Sequence, residues 1–326
     1  MVRNAVRASL TGLAPGDLAL AACSGGPDSL ALAAALAFVA PRAGLRAGAV
    51  TVDHGLQEGS ADRAREVEGV LGGLGLDPVR TVAVTVDGAG GLEAAARAAR
   101  YRALEEAAAD LGAAAVLLGH TLDDQAETVL LGLARGSGAR SLAGMAPRRG
   151  MAGSSCVLLR PLLGLRRQVT ADACAALGLA PWTDPHNADR RFARVRVRLD
   201  ALPALEAALG PGVAEALART ADQLRDDADV LDKIVLEQIG PDTRAVSAAS
   251  LAGAPGAVRS RMLRSAALAA GCPASALTAA HVSRIEELVV NWHGQRWIDL
   301  PGGVRASRRS GQVVFSTDKE WVHGRG

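Results

Sequence analysis

Positive charge in this chain is carried almost without lysine. Lys233 and Lys319 are the only two, and the 36 basic residues balance 34 acidic ones to a net charge of +2. A global polycation is therefore excluded, and any nucleic acid has to be held by local basic surfaces. The arginine bias suits planar anion recognition, although a GC-rich gene with heavy alanine and glycine use explains it more simply. Cysteine is also sparse: Cys23, Cys156, Cys174 and Cys272 are scattered, with no CxxC pair. That scatter argues against a zinc or iron–sulfur site, and the length of the chain against a disulfide framework. No apolar run approaches the length of about 18 residues that a membrane span needs. Arg3 and Arg7 ahead of Leu20-Ala21-Ala22-Cys23 imitate a lipoprotein signal, but Pro15-Gly16-Asp17 cuts the apolar stretch too short. The expectation is a cytoplasmic protein with no membrane partner.

What is present is a soluble globular composition, 49% apolar and 21% charged over 326 residues, with room for two domains. Short apolar runs alternate with helical patterns through the first half. Strands are expected at 45–53, 79–86 and 115–119, and helices at 62–74, 92–111 and 123–134. That rhythm predicts βαβ units and an α/β, doubly wound parallel sheet. Residues 135–153, rich in Gly, Ser and Arg, read as a mobile loop, and 181–200 as a second irregular stretch. Beyond about 212 the rhythm changes to helices at 213–238, 257–270 and 278–292, followed by three short strands. The expected division is thus 1–212 for the sheet domain and 213–326 for a helical linker with a smaller α+β domain.

Ser24-Gly25-Gly26-Pro27-Asp28-Ser29 lies between an expected strand and an expected helix. Two glycines admit a ligand close to the backbone, and a helix N-terminus aims free N–H groups at an anion. A carboxylate beside a phosphate cradle is repulsive unless a metal ion intervenes, so Asp28 implies Mg²⁺. The bland alternative is a plain glycine turn with Asp28 or Ser29 capping the helix. The spacing matches neither GxxxxGK[ST] nor GxGxxG. Asp53-His54-Gly55 and Gly119-His120 end two further strands, and ligands of such sheets bind at strand carboxyl ends. Asp53 and His54 are therefore expected beside the nucleotide.

In Gly119-His120-Thr121-Leu122-Asp123-Asp124-Gln125-Ala126-Glu127-Thr128 the carboxylates fall in a first helical turn, where the dipole alone favours them. Their functional reading is metal ligation by Asp123 and Asp124 together with Asp28, while His120 donates to a phosphate oxygen. Arg97 is a candidate to neutralise charge at an α-phosphate, whereas Arg100 and Arg102 read as a solvated helix face. Arg135-Gly136-Ser137-Gly138 can wrap an anion, and Arg160, Arg166 and Arg167 add basic surface. Arg190, Arg191, Arg194, Arg196 and Arg198, with Phe192 and Trp182 nearby, form the densest basic cluster, suited to phosphate contact and base stacking.

The loop at 24–29 resembles the SGGxDS loop of the PP-loop ATP pyrophosphatases, whose fold is the adenine nucleotide α-hydrolase-like sheet. Taken with residues 52–55, 91–101, 119–128, 135–138, 160–163, 184–192 and the Leu300-Pro301-Gly302-Gly303 tail, it resembles the tRNA(Ile)-lysidine synthetase family. Asp123 to Thr128 followed by Arg135 to Gly138 makes that likeness specific. Two departures stand out: Thr121, where many members carry a second histidine, and Val195, where many carry Asn. The resemblance implies ATP and Mg²⁺ as cofactors, an isoleucine tRNA with a CAU anticodon and free L-lysine as partners, and a homodimer as an open option. It implies attack by the wobble cytosine O2 on the α-phosphate, release of pyrophosphate, then displacement of AMP by the lysine amine. A PP-loop thiolase would want paired cysteines, which are lacking. A non-catalytic RNA-binding protein would not need Asp28, Asp123 and Asp124 together.

Overall fold

The computed structural model describes residues 1–53, 55, 59–85, 92–136, 138–151 and 153–317, with the side chains of 92–94 outside the description. His54 therefore lies outside the described residues. The chain divides into two units, one of Met1–Ser137 with Ser141–Asp222, the other of Gly138–Arg140 with Gln223 onward. The division falls inside one continuous helix, Val213–Ile239, a little later than the 212/213 boundary expected from composition.

The first unit is built on a six-stranded sheet of order β3-β2-β1-β4-β6-β5. Its strands are β1 (Leu18–Ala22), β2 (Arg46–Asp53), β3 (Val79–Ala83), β4 (Ala113–Leu118), β5 (Arg148–Gly150) and β6 (Val157–Leu159). All neighbours run parallel except β5, which pairs antiparallel with β6 at the edge. The helices are α1 (Val2–Ser9), α2 (Pro27–Val39), α3 (Ser60–Gly73), α4 (Leu92–Asp110), α5 (Leu122–Ala134) and α7 (Arg167–Ala176), with the single turn α6 (Ala139–Leu142) divided between this unit and the other. Leu18 to Ala22, which imitated a lipoprotein signal, is thus the central strand. The stretch 135–153, read as a mobile loop, instead carries α6 and the edge strand β5.

Two apolar layers cover the sheet, as strand alternation requires. Ala19 and Ala21 of β1, Ala47 and Ala49 of β2 and Leu117 of β4 pack in one core with Leu32, Ala35 and Leu36 of α2. Leu18 and Leu20, Val50, Val116 and Leu158 pack in the other with Leu104 and Ala107 of α4. Helix α2 is buried almost all round, which explains its unbroken apolar sequence. A buried amide fixes α5: Gln125 Nε2 donates to Met145 O at 3.0 Å and its Oε1 accepts from Met145 N at 2.7 Å. Neither polar end of that buried side chain is left unpaired.

Towards the end of this unit lie α8 (Ala193–Arg196) and α9 (Leu202–Leu209), and α10 (Val213–Ile239) then runs across the division. The second unit contains an antiparallel sheet of order β7-β10-β9-β8, formed by β7 (Ala245–Ser247), β8 (Ile298–Leu300), β9 (Val304–Arg309) and β10 (Gln312–Thr317). Its core joins Val304, Ala306, Val313 and Phe315 to Leu251 of α11 (Ala248–Gly253), Met262 of α12 (Gly256–Ala269) and Ile285 of α13 (Ala279–Val290). Among the described residues no helix is long and apolar enough to cross a membrane.

Candidate active site

Residues 24–29 form a closed turn at the carboxyl end of β1. The Ser29 hydroxyl accepts from Ser24 N at 3.1 Å and donates to Gly26 O at 3.0 Å, so it ties the loop to itself. Gly25 has φ +82°, and a Cβ there would lie 2.8 Å from Val67. The turn therefore needs glycine for both conformation and space. Helix α2 begins at Pro27 with Gly26 as N-cap and no side-chain cap, leaving its first N–H groups for an anion.

Asp28, in the first turn of α2, faces Asp124 in the first turn of α5. Arg167 stands between them, its Nε 3.4 Å from Asp28 Oδ2 and its Nη2 3.0 Å from Asp124 Oδ1. Thr170, one turn along α7, donates to the other oxygen of Asp28. Burial pushes the Asp28 carboxyl above its ordinary range, against the opposing pull of Thr170 and Arg167. Asp124 is divided in role. Its Oδ2 accepts from Thr121 N at 2.8 Å and Thr121 Oγ1 at 3.0 Å, capping α5, while Oδ1 faces Arg167. Burial acts against its charge, but Arg167 and the Thr121 N–H outweigh it and hold the Asp124 carboxyl below its usual range. The capping and cleft-facing readings of this residue are thus both present, on different oxygens. Thr121 itself is fully buried as the N-cap of α5.

Asp123 is placed elsewhere. Its Oδ2 accepts from Arg167 N at 2.7 Å and its Oδ1 meets Arg166 Nη1 at 3.2 Å, so it binds the N-terminus of α7. The structure brings together Asp28 and Asp124, without Asp123. Among the described residues no group of three His, Cys, Asp or Glu side chains converges on a metal. Mg²⁺ characteristically takes one or two carboxylates and completes its shell with phosphate oxygens and water. Asp28 and Asp124, already arranged around a cationic head, fit that donor set.

His120, at the end of β4, has a buried Nδ1 without a protein partner. Burial, reinforced by Arg100, Arg160 and Arg97 against the pull of Asp124, pushes its pKa down to about 3, so at neutral pH it is an uncharged imidazole. Arg97 is exposed and donates to Tyr101 Oη at 3.3 Å. Arg160, only 5% exposed, donates to Tyr101 Oη from Nη2 and to Ala146 O from Nη1, leaving Nε unpaired. Arg102 is exposed as expected. Arg100 corrects the sequence reading: it is partly buried, with its Nε shut off from solvent and unpaired.

A cavity of about 160 Å³ opens beside the loop, lined by Ser24, Thr51, Asp53, Arg63, Trp182 and others. Asp53 and Gly55 both line it, and Asp53 Oδ1 accepts from Gly55 N at 3.0 Å. The Arg63 guanidinium lies 3.7 Å over the Trp182 ring, and Trp182 N donates to Gly25 O at 2.9 Å. Neither Arg63 nor the wall it forms with Trp182 was legible beforehand, because 118 residues separate them and neither sits in a spaced motif.

The basic cluster divides in two. Arg194 Nε lies 3.3 Å and Arg198 Nε 2.7 Å from Glu127, a carboxylate with no exposed surface. Arg190 pairs with Asp200, Arg191 with Asp189, and Arg196 donates to the Arg190 and Arg191 carbonyls, all three side chains remaining exposed. Glu127 as the focus of inward arginines was missed. Its place three residues after Asp124 was the available signal, but its partners lie some 70 residues on.

Comparison with known proteins adds the family. A PP-loop domain model matches residues 4–205, and a TilS substrate binding domain model matches residues 247–314. A tRNA(Ile)-lysidine synthase of Thermobifida fusca is 60% identical over 98% of this chain and 97% of its own length. Those of Streptomyces coelicolor and Mycobacterium tuberculosis are 57% and 48% identical, over 93% and 90% of this chain and 86% and 88% of theirs. Among solved structures, a U34-tRNA thiolase from Methanococcus maripaludis superposes with a TM-score of 0.57 at 20% identity, covering 68% of this chain and 78% of that one, a likeness of fold. The sheet order, the two matched domain models and the near full-length similarity agree: the chain belongs to the tRNA(Ile)-lysidine synthase family of PP-loop enzymes.

Proposed function

We propose that this chain makes lysidine, using ATP to join free L-lysine to C2 of the wobble cytidine in an isoleucine tRNA with a CAU anticodon. The observation that carries the ATP half is the convergence of Asp28 and Asp124 beside the uncapped N-terminus of α2. The cavity bounded by Asp53, Arg63 and Trp182 suits the nucleoside, and the loop at 24–29 the phosphates. Asp28 and Asp124 would hold Mg²⁺, and the ion would supply positive charge toward the pyrophosphate oxygens.

The cytosine O2 is a poor leaving group. Its attack on the α-phosphorus breaks the bond to pyrophosphate and attaches AMP. The lysine ε-amine, once unprotonated, then adds at C2 and AMP departs with that oxygen. Neutral His120 offers one N–H to a phosphate oxygen without competing as a cation, and Arg97 with Arg100 and Arg160 supplies positive charge near it. The acceptor half rests on the family and on the solvent-facing Arg190, Arg191 and Arg196, suited to a tRNA backbone. Such a base is read as an unstacked loop nucleotide. The place of work is the cytoplasm, where tRNA, lysine and ATP meet.

The test is the purified chain with ATP, labelled lysine and tRNA, scored for label in the RNA. Label that needs all three and a CAU anticodon is expected. Label absent, or indifferent to the anticodon, overturns the proposal.

A further inference from the structure

Arg167 has no part in the reaction as written above, yet it touches each carboxylate of the cleft. Besides Asp28 and Asp124, its Nη2 lies 3.7 Å from Glu127 Oε1. These acids come from α2 and α5, and the arginine reaches them from a third helix. Its backbone is fixed by Asp123, and Thr170 fixes the acid it faces. The Arg167 side chain is 28% exposed, so it is not sealed into the cleft. Glu127 keeps Arg194 and Arg198, and Asp124 keeps Arg198 Nη2 at 3.7 Å, if that head leaves. Asp28 does not: among the described residues Arg167 is the one basic side chain paired with it.

We propose that Arg167 is the resident counter-ion of the Asp28–Asp124 pair, holding divalent metal out until nucleotide arrives and then moving onto the phosphates. The inference rests on reading Asp28 and Asp124 as the Mg²⁺ ligands. A guanidinium between two carboxylates cancels one of their two negative charges and occupies the space a divalent cation would need, and Mg²⁺ sheds water reluctantly. Nucleotide changes both sides of that competition. Its phosphates accept the planar fork of Arg167 in bidentate fashion, and they supply the oxygens that two carboxylates lack. Metal and nucleotide then enter together, and the empty site does not hold an idle ion.

Mn²⁺ as the probe, its free fraction read by electron paramagnetic resonance, tests this on the full chain with and without α,β-methylene ATP. Wild type is expected to bind Mn²⁺ weakly alone and tightly with the analogue. Arg167→Ala is expected to bind Mn²⁺ alone about tenfold tighter or more than wild type, on the scale by which a nearby opposite charge shifts proton affinity. Arg167→Lys, which keeps the charge, should stay close to wild type. In thermal melts Mg²⁺ should raise the midpoint of Arg167→Ala and leave wild type unmoved, which also guards against mistaking a misfolded variant for a negative result. The proposal is overturned if Arg167→Ala alone binds Mn²⁺ no better than wild type while wild type binds it with the analogue. If Asp28→Asn and Asp124→Asn both keep wild-type Mn²⁺ binding with the analogue, the ligand assignment itself falls and takes this inference with it.

Discussion

A Cβ on Gly119 would lie 3.0 Å from the backbone carbon of Asp28 and 3.1 Å from Ser29 N. The end of β4 and the first turn of α2 are thus in direct backbone contact, and backbone cannot give way as a flexible side chain can. Gly119→Ala should push the phosphate loop off its seat, at a stability cost of about 1–3 kcal/mol. A nucleotide titration by calorimetry is expected to show ATP affinity falling about tenfold, with the fold retained by circular dichroism. Unchanged affinity would mean the contact does not set the loop.

Asp28→Asn and Asp124→Asn keep the shape of each side chain and remove its charge. Each should slow pyrophosphate release by about 10²-fold or more, with tRNA binding held near wild type. Chelation of divalent metal should mimic both in the wild type. The readout is pyrophosphate formed in a single turnover with tRNA present, and a full-rate variant would remove that residue from the metal site.

His120 carries a pH signature with a definite sign. An unfolded histidine takes up its proton near 6.5, whereas in the fold it does so only at about 3. Between those values the unfolded chain binds more protons, so stability falls as pH drops from 6.5 towards 3. His120→Gln should lose this component, and its melting temperature should fall less between pH 7 and pH 5 than that of wild type. Parallel melting curves would show that His120 is protonated at the ordinary pH. The same neutrality predicts that no limb of the pH–rate profile near 6.5 belongs to His120.

The arginine cluster yields a contrast between two sets of variants. Replacing Arg190, Arg191 and Arg196 with Ala should lower the slope of log affinity for tRNA against log salt by about 2, if each meets one phosphate of an unpaired strand. Arg198→Ala should act on the fold instead, costing about 1–3 kcal/mol by leaving the buried Glu127 short of a charged hydrogen bond. Salt-dependent filter binding and denaturant melts separate the two. A flattened slope in Arg198→Ala would reverse its placement.

The sheet was legible because its evidence is local. Short apolar runs at 45–53 and 115–119 and the uninterrupted apolar character of 30–36 each declare a buried element within a few residues. The loop at 24–29, with Asp28 and Asp124, was legible for the same reason. What escaped was set by distance along the chain. Nothing in the sequence says that Arg167 will meet Asp28, 139 residues away, or that Glu127 will gather Arg194 and Arg198. Arg100 was misjudged because a helix of alanines offers little contrast between its wet and dry faces. Asp123 and Asp124, adjacent and identical in type, point to different neighbours because successive helical residues lie about 100° apart, and only the packing of α7 decides which one faces the cleft.

The alanines of β1 have a role that their chemistry hides. Ala19 and Ala21 offer only methyl groups to the core in which α2 packs Leu32 and Leu36 beside Ala31 and Ala35, so the strand side of that contact carries almost no bulk. The phosphate loop is the continuation of both. Its position in the cleft is therefore a matter of bulk withheld in the floor beneath it. Drift at these featureless sites, towards Val or Leu, would lift the loop and displace Asp28 from Asp124 without altering one catalytic residue. The composition that looks least informative in this chain is the part that sets its tolerances.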